Sequence, residues 1–123
     1  MKTNQMDGTE IVRRFNDALN AADVEAMMAL TTEDTVFENT SPAPDGKRYS
    51  GQKQVRAFWE DFFRSSSSAR IETEALFSLG DRSVMLWTYR WVDKNGTAGH
   101  IRGVDVYLIK NDLIAEKLSY VKG

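Results

Sequence analysis

The sequence contains no cysteine and a single histidine, His100, in 123 residues. Without cysteine, the chain has no disulfide bond, no thiol nucleophile and no thiolate metal site. With one histidine, it cannot build a metal site from several imidazoles. It also lacks a glycine-rich phosphate loop and a dinucleotide-binding motif. We therefore expect the protein to use no metal and no cofactor.

An excess of charge of one sign is lacking, and so are long apolar segments. The chain has 16 basic and 18 acidic residues, which gives a formal charge of −2. This balance provides no attraction for nucleic acid or for an anionic membrane. No segment approaches the roughly 20 apolar residues that a membrane helix needs, and MKTNQMDGTE at the N-terminus lacks the apolar core of a secretory signal. We expect a cytoplasmic protein that binds neither nucleic acid nor membrane.

The first half of the sequence is mostly helical in pattern. Apolar residues recur at helical spacing up to residue 34, with a break at 20–23, where Asp23 is a suitable N-cap for a second helix. TVFEN then has the β-branched and aromatic content of a strand. Proline and Asp-Gly mark a loop before the next apolar helical pattern. The predicted elements are a broken helical segment at 10–34, a strand at 35–39, a loop at 40–51 and a helix at 52–63.

From residue 70 onward, the apolar period changes from helical to two. Turn-forming pairs at 80–81, 95–96 and 111–112 favour hairpins. Short links between long strands imply an antiparallel meander. Helices followed by a sheet indicate the α+β class, in one domain spanning residues 1–123. The predicted strands are 70–79, 83–92, 98–109 and 113–121.

The predicted sheet is apolar on both faces. In SVMLWTYRWV (83–92), large apolar side chains fall on both sides of the strand. HIRGVDVYLI (100–109) is similar, except that Asp105 stands among its apolar residues. A solvated antiparallel face would alternate between apolar and polar residues. Helices can cover one face and a second copy of the chain the other, so we predict a homodimer through the sheet face. The alternative is a monomer whose sheet curves strongly enough to hide both faces.

Four segments carry a resemblance to known proteins: IVRRFNDALNAADVEAMMAL, TVFEN, YSGQKQVRAFWEDFF and GVDVYLIKNDLIAEKLSYVKG. Their order resembles the nuclear transport factor 2-like (NTF2-like) superfamily, in particular its SnoaL-like polyketide cyclases and ketosteroid isomerases. The resemblance implies a cone-like, curved antiparallel sheet wrapped around the N-terminal helices, also called a cystatin-like roll. It further implies a cavity between the concave face and the helices. Because such folds host many activities, the fold does not determine the function.

Asp105 is the first candidate for chemistry. A charged carboxylate on a buried strand is costly unless it is paired, hydrogen-bonded or protonated. Ketosteroid isomerases place a catalytic acid in a strand context similar to Val104-Asp105-Val106-Tyr107, and the acid/base aspartate of SnoaL-like cyclases falls near this position. The resemblance therefore implies that Asp105 is catalytic. The alternative is a structural aspartate paired with an arginine or a backbone amide.

The resemblance also implies a second carboxylate. The base of ketosteroid isomerases closes a T-V-E-D-P run, and the matching run here places Glu38 at the position of the base. The alternative is an exposed acid at the end of a strand. The tyrosine that donates to the oxyanion in those isomerases aligns with Phe15, which cannot donate a hydrogen bond. Steroid isomerisation proper is therefore not expected, and Phe15 is kept as a binding residue.

Aromatic residues are expected to line a pocket for a flat apolar ligand, although they also suit a plain core. His100 is a further candidate binding residue, because histidine can exchange protons near neutral pH, or an exposed residue at a strand start. Strand parity puts Arg102 opposite Asp105, so we interpret it as structural or interfacial. Glu116 and Lys117 are interpreted as surface or interface residues. The predicted aromatic lining residues are Trp59, Phe62, Trp87, Tyr89 and Tyr107.

Two functions are consistent with these features. The first is a cofactor-independent enzyme of the isomerase, cyclase or dehydratase type, acting on a small apolar carbonyl or polyketide-like compound. In it Asp105 would be the acid or electrostatic stabiliser and Glu38 the base. The second is a non-catalytic module that binds a small apolar molecule in the same pocket, or that only dimerises.

Overall fold

The computed structural model describes residues 7–66 and 70–122. Three helices and two strands make up the first half of the described residues, and four further strands follow one another in the second half. The elements are α1 (Gly8–Asn20), α2 (Val24–Met28), β1 (Thr31–Glu38), β2 (Arg48–Ser50), α3 (Gly51–Ser65), β3 (Arg70–Leu79), β4 (Arg82–Val92), β5 (Ala98–Lys110) and β6 (Leu113–Val121).

The two N-terminal helices begin at aspartate caps. Asp7 Oδ1 accepts a hydrogen bond of 2.9 Å from the backbone N–H of Thr9. Asp23 Oδ1 accepts one of 3.1 Å from the backbone N–H of Ala26, which confirms the predicted cap of the second helix. Each cap satisfies a donor that the first helical turn leaves free. The buried side of α1 consists of Ile11, Val12, Phe15, Asn16, Ala18 and Leu19.

The six strands form one sheet in the order β2-β1-β6-β5-β4-β3. Strands β3 to β6 make the antiparallel meander predicted from the sequence. Strand β1 runs parallel to β6, and β2 pairs antiparallel with β1. The sheet is curved and unclosed, and together with the N-terminal helices it forms the predicted α+β fold.

The segment around β1 differs from the prediction. The helical pattern was expected to continue to residue 34, but α2 ends at Met28 and β1 begins at Thr31. Two buried threonines mark the change, because one binds the last carbonyl of α2 and the other binds a carbonyl of β6. Thr31 Oγ1 donates to the Met28 carbonyl at 2.7 Å, and Thr35 Oγ1 donates to the Ile114 carbonyl at 2.9 Å. Pairing with β6 therefore overrides the helical pattern. The short strand β2 lies inside the predicted loop.

A β-bulge decides which residues of β6 face the helices. Close to the last turn, Ile109 pairs with Ile114. The register then shifts by one residue, so that Tyr107 pairs with Lys117. The extra residue is Ala115, and it reverses the alternation of the rest of the strand. Lys117 consequently lies on the same face of the sheet as Tyr107.

The two faces of the sheet have different surroundings. The inner face packs with α1 and α3 and contributes Met85, Trp87 and Tyr107 to the buried core. The outer face is covered by no helix among the described residues, and Leu86 is 37% exposed there. The curved sheet and its helices thus enclose the space in which the candidate site lies.

Candidate functional site

A cavity of about 140 Å³ lies between α3 and the inner face of the sheet. Helix α3 contributes Trp59 and Phe62 to its wall, and β4 contributes Trp87 and Tyr89. The rings contact one another, with centroids 5.4 Å apart for Trp59 and Phe62 and 6.2 Å apart for Phe62 and Tyr89. Such walls are typical of sites for flat apolar molecules.

Asp105 and Lys117 bring two opposite charges to this cavity. Asp105 is 4% exposed and Lys117 is 8% exposed. Lys117 Nζ lies 3.4 Å from Asp105 Oδ2 and donates a hydrogen bond of 3.0 Å to Ser119 Oγ. Away from water the attraction between the two charges is weakly screened, and each compensates the other's desolvation.

The ammonium of Lys117 also contacts two aromatic rings. Nζ lies 5.5 Å from the centroid of Phe37 and 5.5 Å from that of Trp59. A cation at this distance is attracted by the negative face of a ring. Both rings line the cavity. They therefore hold the ammonium at the cavity wall instead of letting it extend into solvent.

Three polar atoms of cavity-lining side chains have no hydrogen-bond partner among the described residues. They are Asp105 Oδ1 and the indole nitrogens of Trp59 and Trp87. A buried polar atom without a partner costs about 1–3 kcal/mol, and native proteins contain few of them. Three residues of the cavity wall thus each carry a buried polar atom, one acceptor and two donors, to which the described residues give no hydrogen bond.

Tyr107 lies beside Asp105 and is completely buried. Its hydroxyl donates a hydrogen bond of 3.3 Å to Asp105 Oδ2. Burial, and then the negative charge of Asp105, raise the pKa of the Tyr107 phenol well above its usual value near 10. Tyr107 therefore stays protonated and fixes the carboxylate through Oδ2, while Oδ1 has no partner among the described residues.

Glu38 reaches the cavity from the end of β1, in a more open position. Its side chain is 30% exposed, and its Oε2 accepts a hydrogen bond of 3.3 Å from Arg48 Nη1. The structure thus places Glu38 and Asp105 on the wall of one cavity. It surrounds them differently, because Glu38 has an exposed arginine as partner and Asp105 a buried lysine.

The other predicted binding residues are divided between two places. Trp59, Phe62, Trp87 and Tyr89 line the cavity. Tyr107 is not among the residues that line the cavity, but it donates a hydrogen bond to Asp105 and pairs with Lys117 across the strands. Phe15 lies in the core with no exposed surface, its ring centroid 5.7 Å from that of Phe37, and it is not among the residues that line the cavity.

His100 is not brought to the cavity. It is exposed on β5, in register with Arg90, and lies beside Trp91 in a separate surface depression. Arg102 is on the outer face, as strand parity predicts. Its guanidinium binds both carboxylate oxygens of Glu74, at 2.8 and 3.1 Å.

The interpretation of Lys117 as a surface or interface residue was wrong. The bulge at Ala115 turns Lys117 inward and leaves Glu116 on the outer face, where it accepts a hydrogen bond of 2.9 Å from Arg82. Sequence reasoning therefore missed the cation of the site and its neighbour Ser119. The one available signal is the spacing of Lys117 and Ser119, which puts two polar residues on the same face of a strand.

Within residues 7–66 and 70–122, no group of three or more His, Asp or Glu side chains is arranged to hold a metal ion. In the same part of the chain, no helix is long and apolar enough to cross a membrane.

Comparison with known proteins agrees with this architecture. An NTF2-like protein of unknown function from Mesorhizobium loti matches over 100% of this chain and 98% of its own, at 34% identity and a TM-score of 0.79. An NTF2-like protein from Burkholderia pseudomallei matches over 95% of this chain and 92% of its own, at 21% identity and a TM-score of 0.82. A candidate polyketide cyclase from Pseudomonas putida covers the same shares, at 24% identity and a TM-score of 0.75. The chain therefore has an NTF2-like fold.

The family model for the SnoaL-like domain matches residues 12–117. The chain belongs to the SnoaL-like domain family. No curated protein matches it.

Proposed function

We propose that the protein binds a small apolar carbonyl or polyketide-like compound in the cavity and performs acid/base chemistry on it without a cofactor. Asp105 is the principal proton-transfer group, and Glu38 is a second acid/base group at the more open side of the cavity. The reaction class is that of an isomerase, a cyclase or a dehydratase, in which a proton leaves a carbon next to a carbonyl.

One observation carries this proposal: Asp105 lines an aromatic cavity, and its buried Oδ1 has no hydrogen-bond partner among the described residues. The other oxygen is fixed by Tyr107 and lies close to Lys117. A carboxylate held in this way is oriented before the substrate arrives, which is a requirement for efficient proton transfer. The likeness in fold to a candidate polyketide cyclase is consistent with a carbonyl-rich substrate.

The test follows the exchange of the acidic C–H protons of 2-indanone, a compact flat ketone, for deuterium by NMR in D₂O. We expect the wild-type protein to accelerate exchange over buffer. Asp105→Asn should reduce the acceleration roughly a hundredfold or more, which is the usual contribution of one acid/base group. Glu38→Gln is the matched control at the same cavity and should reduce it less, because Glu38 is already held by Arg48. Equal rates for wild type and Asp105→Asn would refute the role of Asp105.

The second candidate function is ligand binding without catalysis. The observation that favours it is the ion pair of Glu38 with Arg48, which engages the carboxylate that the resemblance assigns as the base. The same experiment separates the two functions. Saturable binding of 2-indanone without any accelerated exchange would support the non-catalytic module.

A further inference from the structure

We infer that Lys117 is the group that receives the oxygen of the ligand, and that the cavity selects flat molecules with an acidic enol or phenol oxygen, bound as the anion. This inference rests on the proposed function in that it names the ligand class of the same cavity.

The hydrogen-bonding capacity of Lys117 is only partly used. An ammonium has three N–H donors. One is directed to Ser119 Oγ at 3.0 Å, and Asp105 Oδ2 lies 3.4 Å away, which is long for a charged hydrogen bond. At least one donor is therefore left for a ligand, on a side chain that lines the cavity. Trp59 and Trp87 also line the cavity, and their indole N–H groups have no partner among the described residues.

The charges of the pair favour a ligand that brings its own proton. Asp105 and Lys117 are together neutral. For an anion that enters without a proton, the repulsion by Asp105 therefore offsets the attraction by Lys117. An enol or phenol whose acidity approaches that of a carboxylic acid instead transfers its O–H proton to Asp105 Oδ1, which has no partner among the described residues. The O–H bond of the ligand breaks, its oxygen keeps the electron pair, and a new O–H bond forms on the carboxyl group. The anionic oxygen then lies beside Lys117, whose positive charge compensates it.

The surroundings of the ammonium define the shape of the ligand. Phe37 and Trp59 flank Lys117 Nζ, each with its ring centroid 5.5 Å away. Beyond them the cavity is walled by aromatic rings of α3 and β4. A conjugated ring or a planar 1,3-dicarbonyl compound places its polar oxygen at Lys117 and its flat body between these rings. The enolate formed from a ketone has the same features.

The probe for this inference is 4-nitrophenol, because its anion and its neutral form absorb at different wavelengths. Its near-isosteric control is 4-nitrotoluene, in which a methyl group replaces the hydroxyl. Binding is measured by calorimetry and absorption at one pH below the pKa of the free phenol. The decisive variants are Asp105→Asn and the double variant Asp105→Asn with Lys117→Met. Neither leaves an unpaired buried carboxylate, and they differ only in the ammonium.

We expect wild type and Asp105→Asn to bind 4-nitrophenol as the anion and to prefer it over 4-nitrotoluene. The double variant should lose this preference by roughly ten- to a hundredfold, the usual range for a hydrogen bond to a charged group, and should show no anion absorption. Anion binding by the double variant at the affinity of Asp105→Asn would overturn the inference. So would binding of the neutral phenol by the wild-type protein.

The failures of the two proposals are distinguishable. If 2-indanone exchange depends on Asp105 but anion binding does not depend on Lys117, the proposed function stands and the inference is wrong. If anion binding depends on Lys117 but no exchange is accelerated, the inference stands and the proposed chemistry is wrong.

Discussion

Two ion pairs share strand β5 and differ in almost every physical respect. Asp105 and Lys117 lie on the inner face, with side chains only 6% and 10% exposed. Glu74 and Arg102 lie on the outer face, with side chains 33% and 53% exposed. Both pairs join a carboxylate to a cation, so their differences arise from the environment.

The carboxylate of the outer pair has a partner on each oxygen, and among the described residues the carboxylate of the inner pair has a partner on only one. Glu74 accepts two hydrogen bonds from Arg102 and a further one from the Thr88 hydroxyl. The Arg102 hydrogen bond, followed by that of Thr88, lowers the pKa of Glu74 to about 2. Asp105 by contrast lines a cavity and has one oxygen to which none of the described residues donates a hydrogen bond. Buried polar groups in a purely structural role are usually satisfied, so an unsatisfied carboxylate on a cavity-lining residue favours a binding role.

The largest expected effect on stability comes from removing the cation of the inner pair while its carboxylate stays in place. Lys117→Met leaves the carboxylate of Asp105 buried without its cation, which typically costs about 3–5 kcal/mol of stability. We expect a corresponding fall in the urea midpoint. Asp105→Asn should cost less, because Lys117 keeps Ser119 and two aromatic rings. An unchanged midpoint for Lys117→Met would mean that water reaches the pair freely.

A second effect concerns the Tyr107 hydroxyl, which donates a hydrogen bond to Asp105 of the inner pair. The pKa of Tyr107 is raised in the folded protein, so its stabilising contribution is present below the unfolded value near 10 and is lost as the pH rises above it. Tyr107→Phe removes this group. We expect the wild-type protein to lose more stability than the variant between neutral pH and pH values above 10, measured by urea unfolding. Parallel losses in both proteins would contradict the assigned burial of the phenol.

The homodimer predicted from the sequence remains a prediction, and the outer face is where it can be tested. Leu86 is 37% exposed at this face, with Val104 and Val106 half-buried beside it. Leu86→Lys should convert a dimer to a monomer in sedimentation velocity, because a charge would be placed at an apolar interface. Ligand binding in the inner cavity should change little. A wild-type protein that sediments as a monomer at all concentrations would contradict the prediction.

The smallest effect is expected at the outer pair. Because the pKa of Glu74 is depressed from 4.5 to about 2, its contribution to stability is complete above pH 4.5 and is lost as the pH falls towards 2. Glu74→Gln should remove this acid-dependent part and leave a small change at neutral pH, since exposed pairs contribute little. The measurement is the unfolding midpoint of both proteins across this pH range. Identical acid profiles would show that Glu74 is not the titrating group.

The hairpins and the α+β class could be predicted from the sequence because local signals specify them. Strand alternation and turn residues gave the four long strands within one residue at each end. The strand β1 was only partly predicted, since it depends on a carbonyl of Ile114 far along the chain. Local helical spacing carries no information about such a partner.

Of the two charged residues in the buried ion pair of the site, the sequence predicted only Asp105. Asp105 was recognised because a carboxylate stands out in an apolar strand. Lys117 was not, because a register continued from the turn at 111–112 puts Glu116 opposite Tyr107, and only the bulge at Ala115 puts Lys117 there. A bulge depends on packing between strands, and the residues around it have no distinctive pattern. The carboxylate of the site could therefore be predicted from the sequence, whereas the ammonium could not.

The measurement that tests the central claim most directly is the stability of the double variant Asp105→Asn with Lys117→Met, determined by urea unfolding beside the wild type. If the inner pair exists for binding, replacing both charges removes an incompletely satisfied, desolvated pair. The variant should then be at least as stable as the wild type. A clear loss of stability in the double variant would instead make Asp105 and Lys117 a structural pair and contradict the account.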